Sequence, residues 1–380
     1  MIPSIYQTHL KSQLTTAQYL LLSMLVTVLQ SVKQVRIETL ATSLPLPILF
    51  ESRRKKLQRF LDLKALSIEH IWWPILQSLL SQSIESGKVV HIAIDRTSWG
   101  WINILMVSLI WDKRAWPIYW TALDKKGSSN YDEQTQILSK VLPQLKAYKT
   151  VVLGDREFCG VKLGRWLSKQ AVYFCLRLKK STFVEAEEDL LVELRALGLA
   201  PGMSLFLNEV KVTKQKGFGS FNVACKWQRK YRGFASDEGW YILTNLNTLE
   251  TAIKAYQKRF SIEEMFRDFK LGGYNLEGCK VEGERLMTLI LVITIAYTCA
   301  TLKGQKIKRQ GLQKYIGRVK EAKRTERRHS GFYIGLYAHN WVNFWDECAE
   351  MAAELMRLNR NKLAYYKKGL RAMELILSAS

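Results

Sequence analysis

The sequence predicts an α/β protein whose central sheet is preceded and followed by helices. Three observations carry this. Val89 to Ile94 and Thr150 to Gly154 are short apolar runs rich in Val and Ile, the pattern of strands covered on both faces of a sheet. A helical stretch from Tyr131 to Leu145 lies before the second run, as a crossover between parallel strands requires. The first 85 residues and those beyond 305 read as helices.

Each element has a local reason. Thr15 or Thr16 can cap a helix reaching about Leu29, with Leu20, Leu21, Met24 and Leu25 on its apolar side. A second helix spans Ile37 to Ser43 and stops at Leu44-Pro45-Leu46-Pro47, because a residue before proline avoids the helical region. Glu51 to Leu63 is helical and carries Arg53, Arg54, Lys55, Lys56 and Arg59. Two short helices, the second basic, predict a helix-turn-helix on DNA; the other reading is a basic amphipathic helix that packs without reading bases. Ser67 to Ser83, with Trp72-Trp73-Pro74, links this unit onward.

Strands are predicted at Ile102 to Trp111 and Ala115 to Leu123, with a turn at Gly127-Ser128-Ser129-Asn130 before the helix. Beyond Ala171 to Lys180, residues 183 to 245 are predicted to be mostly β after an acidic helix, with strands at Ser204 to Val212, Ser220 to Lys230 and Trp240 to Leu246. Leu286 to Leu302 is apolar but marginally short for a membrane span and interrupted by threonines; it is expected as a buried helix packed on the sheet. Asn343 to Ile376 reads as an amphipathic helical region. The expected domains are 1–85, 86–305 with a β-rich insertion at about 183–245, and 306–380.

The chemistry concentrates in Tyr256, Arg259, Glu263 and Lys270. On one helix these offsets return to within roughly 60° of one another, so a phenol, a guanidinium, a carboxylate and an ammonium share a face. Glu263 paired with Arg259 or Arg267 as an ordinary i,i+4 contact is the plainer alternative. Glu264 falls on the edge of that face, which favours Glu263. Two further acids follow predicted strands: Asp95 in Asp-Arg-Thr and Asp155 in Gly-Asp-Arg-Glu-Phe. An acid past a strand end is well aimed at a site, although turn-forming Asp is common there.

Taken together, these residues resemble the DDE transposases. The Tyr-x2-Arg-x3-Glu-x6-Lys spacing is similar to the signature of bacterial insertion-sequence transposases of the insertion-sequence-four type, and the Asp95 and Asp155 motifs match that family's first and second aspartates. The resemblance covers about residues 85 to 305. It implies a ribonuclease-H-like core and a cut-and-paste reaction in which water releases a 3′-hydroxyl that then attacks target DNA. Asp95, Asp155 and Glu263 would hold two divalent ions, magnesium with manganese able to substitute. Tyr256, Arg259 and Lys270 would contact phosphates. Arg267 joins them by helical spacing alone. The partners implied are double-stranded transposon ends and target DNA, with a homodimer assembled on them and no membrane. In the β-rich insertion Trp227 and Trp240 are candidates to stack on a flipped base, with core packing as the alternative. A hairpin step is left open. Another ribonuclease-H-like nuclease, or a non-catalytic DNA-binding relative, would share part of this pattern.

Composition agrees. The formal net charge is +23 and the pI about 9.7, which favours a polyanionic partner. Basic residues also cluster from Lys303 to Arg328. The six cysteines are scattered without a CxxC pair, which excludes the usual zinc and disulfide frameworks. No basic-plus-apolar leader with a cleavage site precedes the helices, so a bacterial cytoplasmic, nucleoid-associated protein with free thiols is expected.

Overall fold

A computed structural model describes residues 2–187, 190–213, 219–229, 237–319, 329–343, 361 and 363–378. Contacts group the chain into two compact units, Leu79–Phe266 and a discontinuous one of Met1–Ser78 with Arg267–Ser380. This differs from three consecutive domains, because the segments that come together are far apart in sequence.

The described strands of the first unit are β1 (Val89–Trp99), β2 (Ile102–Trp111), β3 (Arg114–Ala122), β4 (Lys149–Gly154), β5 (Tyr173–Arg177), β6 (Phe183–Glu187), β7 (Leu190–Glu193), β8 (Ser204–Val212), β9 (Gly219–Lys226) and β10 (Trp240–Thr244). They form one sheet in the order β3-β2-β1-β4-β5-β10-β9-β8-β6-β7. The described helices are α1 (Ser4–Gln13), α2 (Thr16–Val32), α3 (Ile37–Ser43), α4 (Phe50–Leu61), α5 (Trp73–Ser83), α6 (Tyr131–Val141), α7 (Val161–Lys169), α8 (Leu249–Gln257), α9 (Phe260–Phe269), α10 (Gly283–Arg309), α11 (331–343) and α12 (Leu363–Ser378).

β1 runs antiparallel to β2 and parallel to β4, and β4 is parallel to β5. Helices α6 and α7 make the two crossovers. Asn130 starts α6: its side chain accepts from the Glu133 N–H, and the Glu133 carboxylate accepts from the Asn130 N–H, a reciprocal cap that satisfies two orphan donors. Val90, Ile92 and Ile94 of β1 and Val151 to Leu153 of β4 are buried, as central strands demand. The mixed α/β fold with a large central sheet is the class the sequence predicts.

The insertion extends the same sheet by antiparallel pairing outward from β5. The acidic helix expected at its start is instead the hairpin β6–β7. Val184 is buried and pairs with both Val192 and Val212, while Glu185 reaches Lys211. That alternation of inward apolar and outward charged residues has a period of two, not 3.6.

In the second unit, Thr15 caps α2 through a reciprocal bond with Gln18. α10 is the one described helix long and apolar enough to cross a membrane, and 83% of its apolar window is buried inside the protein. It packs on α2 and α4 and groups with them rather than with the sheet, which corrects the expected placement. Tyr6 Oη donates to Thr298 Oγ1 at 2.9 Å and Gln30 Nε2 donates to the Ala296 carbonyl at 3.1 Å, so N-terminal side chains complete its polar edge. A Cβ at Gly335 would overlap the Ala300 carbonyl, so α11 approaches α10 only because glycine stands there.

His339 of α11 is 6% exposed and lies within hydrogen-bond reach of Ser31 Oγ and Asn343 Nδ2. Burial, then the charge of Lys303, lowers its pKa from 6.5 to about 4. A depressed folded-state value means the unfolded chain binds protons first, so this contribution is present above pH 6.5 and lost as pH falls toward 4. We expect urea unfolding to show stability falling across that window, by roughly 3 kcal/mol from this residue at its lower end, and His339→Gln to make the fall shallower.

Candidate active site

The register of two strands brings the first two acids together. The last β1–β4 pair is Ile94 with Gly154, so Asp95 and Asp155 are the next residues on adjacent parallel strands about 4.8 Å apart. Asp95 is not past the end of its strand as the sequence suggested. β1 continues to Trp99 because β2 keeps pairing with it there, and Asp95 sits where its other neighbour stops.

Gly154 makes the sharp exit possible. A Cβ there would lie 2.7 Å from Phe158 Cβ and 3.0 Å from Leu176 Cδ2. Phe158, fully buried, therefore folds back onto the strand end and closes the turn that Asp155 begins. Asp155 Oδ1 accepts from the Glu157 N–H at 2.8 Å, and Asp95 Oδ1 accepts from the Arg96 N–H at 2.7 Å. Each carboxylate is thus oriented by its own backbone. The two loops are also tied together: Arg96 Nε donates to Glu157 Oε2 at 3.0 Å, and Glu157 Oε1 accepts from Ser129 N and Oγ at 2.7 Å each. Arg96 Nη1 donates to Asn103 Oδ1 at 3.0 Å. The pairing of Arg96 with Glu157 is a tertiary contact across 61 residues that no spacing in the sequence signals.

The third acid comes on α9. The single helix expected through Tyr256, Arg259 and Glu263 is broken after Gln257. Lys258, Arg259, Ser261 and Ile262 each bond backward over three residues, and these tighter turns separate α8 from α9. Ile262, Met265 and Phe266 bury the apolar side of α9. Arg114 Nη1 lies 3.6 Å from Glu264 Oε2, so the glutamate beside Glu263 pins the helix to β3. Arg259 Nη1 lies 3.3 Å from Asp95 Oδ2, while Nη2 pairs with Glu263 Oε1. One guanidinium stands between the first and third acids.

Tyr256, 3% exposed, has a buried hydroxyl that makes no well-formed hydrogen bond among the described residues and lies near the Arg259 and Arg177 guanidinia. Its ring lies 5.9 Å from the Arg259 guanidinium and 5.2 Å from the Trp240 ring, edge to face. Burial raises its pKa, against the pull of Arg259 and Arg177. Arg177, at the end of β5 and bonded to Glu238 at 2.8 Å, is a basic neighbour of the site that sequence reasoning missed; nothing in its local sequence marks it.

Burial pushes the Asp95 carboxyl up to about 7, Arg259 and the Arg96 N–H oppose this, and the charges of Asp155 and Glu263 add to it. Asp95 therefore feels both other acids, Arg259 opposes each of them, and it is chiefly burial that holds the carboxyl up. Among the described residues no three acids, histidines or cysteines form a ready-made metal cluster. The donor set is nevertheless all carboxylate oxygen, which fits a hard divalent cation.

Residues 88–299, more than half of the chain, match the family model described as the transposase DDE domain. The chain belongs to the DDE transposase family. No curated protein matches it. Among solved structures it is similar to a piggyBac transposase synaptic complex with hairpin DNA, at 13% identity and a TM-score of 0.44, over 91% of this chain and 77% of that one. It is also similar to Marinitoga piezophila Argonaute in complex with 5′-hydroxyl guide RNA, at 11% identity and a TM-score of 0.24, over 58% and 34%.

The remaining expected residues of this transposase fall in several places. Lys270 and Arg267 belong to the helical unit, where Lys270 Nζ pairs with Glu277 at 2.7 Å. On α4, Lys55, Lys56 and Arg59 are exposed and Arg54 pairs with Glu51. Arg53 differs from the expectation: its guanidinium donates to the Ala41, Leu46 and Ile48 carbonyls and clasps the α3–α4 connection, because the prolines leave those carbonyls without helical partners. Trp240 stands beside Tyr256, and Trp227 borders the start of β10. The basic run beyond Val319 and the segment 344–360 lie outside the described residues.

Gly154→Val tests the positioning of the Asp155 turn. Forcing Phe158 and Leu176 apart should cost about 2 kcal/mol, read as a lower urea midpoint, whereas Gly369 of α12, with open space at its Cβ and no positive φ, should tolerate the same change with less loss.

Proposed function

We propose that this transposase cuts DNA at the ends of an insertion sequence and joins the freed 3′-hydroxyls to target DNA, with Asp95, Asp155 and Glu263 as its catalytic carboxylates. The observation that carries the reading is the juxtaposition of Asp95 and Asp155 at the end of a parallel strand pair, with Arg259 bridging Asp95 to Glu263. Those three carboxylates would hold two magnesium ions, or manganese in their place. Such ions supply charge neutralisation and an activated attacking oxygen for in-line phosphoryl transfer.

The chain's own groups fit the rest of that reaction. Backbone N–H donors fix Oδ1 of Asp95 and of Asp155, and Asp95 Oδ2 lies against Arg259. Arg259 screens Asp95 from Glu263 in the absence of DNA and is the natural bidentate partner for a phosphate. The buried Tyr256 hydroxyl, whose basic neighbours Arg259 and Arg177 can only donate to it, keeps its own O–H for a phosphate oxygen. Lys270 and Arg267 add phosphate contacts by their match to the family signature and by helical spacing. The exposed Lys55, Lys56 and Arg59 of α4 suit DNA backbone, with Arg54 beside them and Arg53 shaping the turn. The active form is a homodimer on paired ends.

Cleavage of labelled end DNA tests this. With magnesium the intact protein should cut, and Glu263→Gln should lower cutting at least a thousandfold while binding the same DNA within about threefold. Equal cutting by both would remove Glu263 from the reaction; binding without cutting by the intact protein would leave a DNA-binding module.

A further inference from the structure

A cleft of about 700 Å³ in the sheet unit begins where the Asp155 turn ends. Glu157 and Cys159 line it on that side, Lys162 and Arg165 on α7, and Lys179 and Ser181 just beyond β5. Its volume lies within the range of ordinary ligand sites. Lys162 and Arg165 are three residues apart on α7 and share a face. Lys179 sits two residues past the end of β5, and its charge reaches the Cys159 thiol, as does that of Asp155.

The charge balance of this cleft is one-sided. Glu157, an acid that lines it, is already engaged by Arg96 and by both Ser129 donors. Lys162, Arg165 and Lys179 are exposed, and among the described residues none has a carboxylate within ion-pair distance. Three cations converging on one concavity repel one another and focus a positive potential there. An extended anion with regularly spaced charges relieves that repulsion at all three. A strand whose phosphate sits at Asp95 and Asp155 has this cleft as an immediate continuation, because Asp155, Glu157 and Cys159 lie on one tight turn.

We propose that this cleft is the track for the DNA strand running on from the cut phosphate, with Lys162, Arg165 and Lys179 on its successive phosphates. The proposal rests on the DNA-cutting reading above and adds the path of the strand. The occupant is a strand rather than a free nucleotide, since three cations spread over α7 and the β5 exit exceed what one phosphate can meet.

Cys159 provides a native probe. It is the partly exposed member of the five described cysteines, the other four being buried. End DNA carrying a disulfide-activated thiol tether on a phosphate two or three nucleotides from the cut should capture intact protein and the Cys348→Ser variant, and should fail with Cys159→Ser. In parallel, Lys162→Glu combined with Lys179→Glu should weaken end binding at least tenfold and flatten its dependence on log salt by about two, with the urea midpoint unchanged. Millimolar nucleoside monophosphate should not compete. Unchanged affinity and salt slope in the double variant, capture that ignores Cys159, or full competition by the monophosphate would each overturn the strand track. Failure of the reading beneath it looks different: the intact protein itself would not bind or cut end DNA, and both would fall.

Discussion

Three carboxylates held near one another in a partly buried place is the constraint on which the sheet unit of this protein depends. Such an arrangement is unfavourable by itself: burial and like charges both oppose ionisation, and Asp95 shows the result in a pKa of about 7. Only a precise scaffold keeps it. Arg259 supplies part of the compensation by reaching Asp95 and Glu263 together. A cation held by these carboxylates would favour their charged forms further, as the proposed phosphoryl transfer asks.

The scaffold is layered from backbone to side chain. Parallel pairing of β1 with β4 sets Asp95 beside Asp155. Gly154 lets the chain turn tightly enough for Phe158 to cover the strand end. The Arg96–Glu157–Ser129 contacts then bind the two acid-bearing segments to the loop before α6. On the other side, α9 presents Glu263 because its apolar residues are buried and Glu264 pairs with Arg114. Loss of any of these should move a carboxylate without touching it, which is why residues remote from chemistry matter at such sites.

Much of this was legible in the sequence where the signal is local. The Val- and Ile-rich runs marked β1 and β4, the Thr15 cap and the turn ending at Asn130 marked the starts of α2 and α6, and the spacing of Tyr256, Arg259 and Glu263 pointed to the segment where Arg259 meets Asp95 and Glu263. What escaped was tertiary. The break between α8 and α9 involves no proline or glycine. The hairpin β6–β7 alternates so briefly that its acids read as helix. Arg53 looks like a DNA contact until three carbonyls claim it. α10 has the composition of a helix that could cover a sheet, and only contact with Tyr6 and Gln30 shows which helices cover it. Arg177 carries no motif at all.

The most direct measurement of the central claim is manganese binding to the intact protein, followed by the electron paramagnetic resonance signal of free Mn²⁺, with Asp95→Asn and Asp155→Asn as comparators. If the acids act as one charge cluster, the intact chain binds Mn²⁺ and each substitution weakens that binding at least tenfold while the fold, read by circular dichroism, is kept. Equal binding by the intact chain and both variants would contradict the account, because the carboxylates would then not share a common ion.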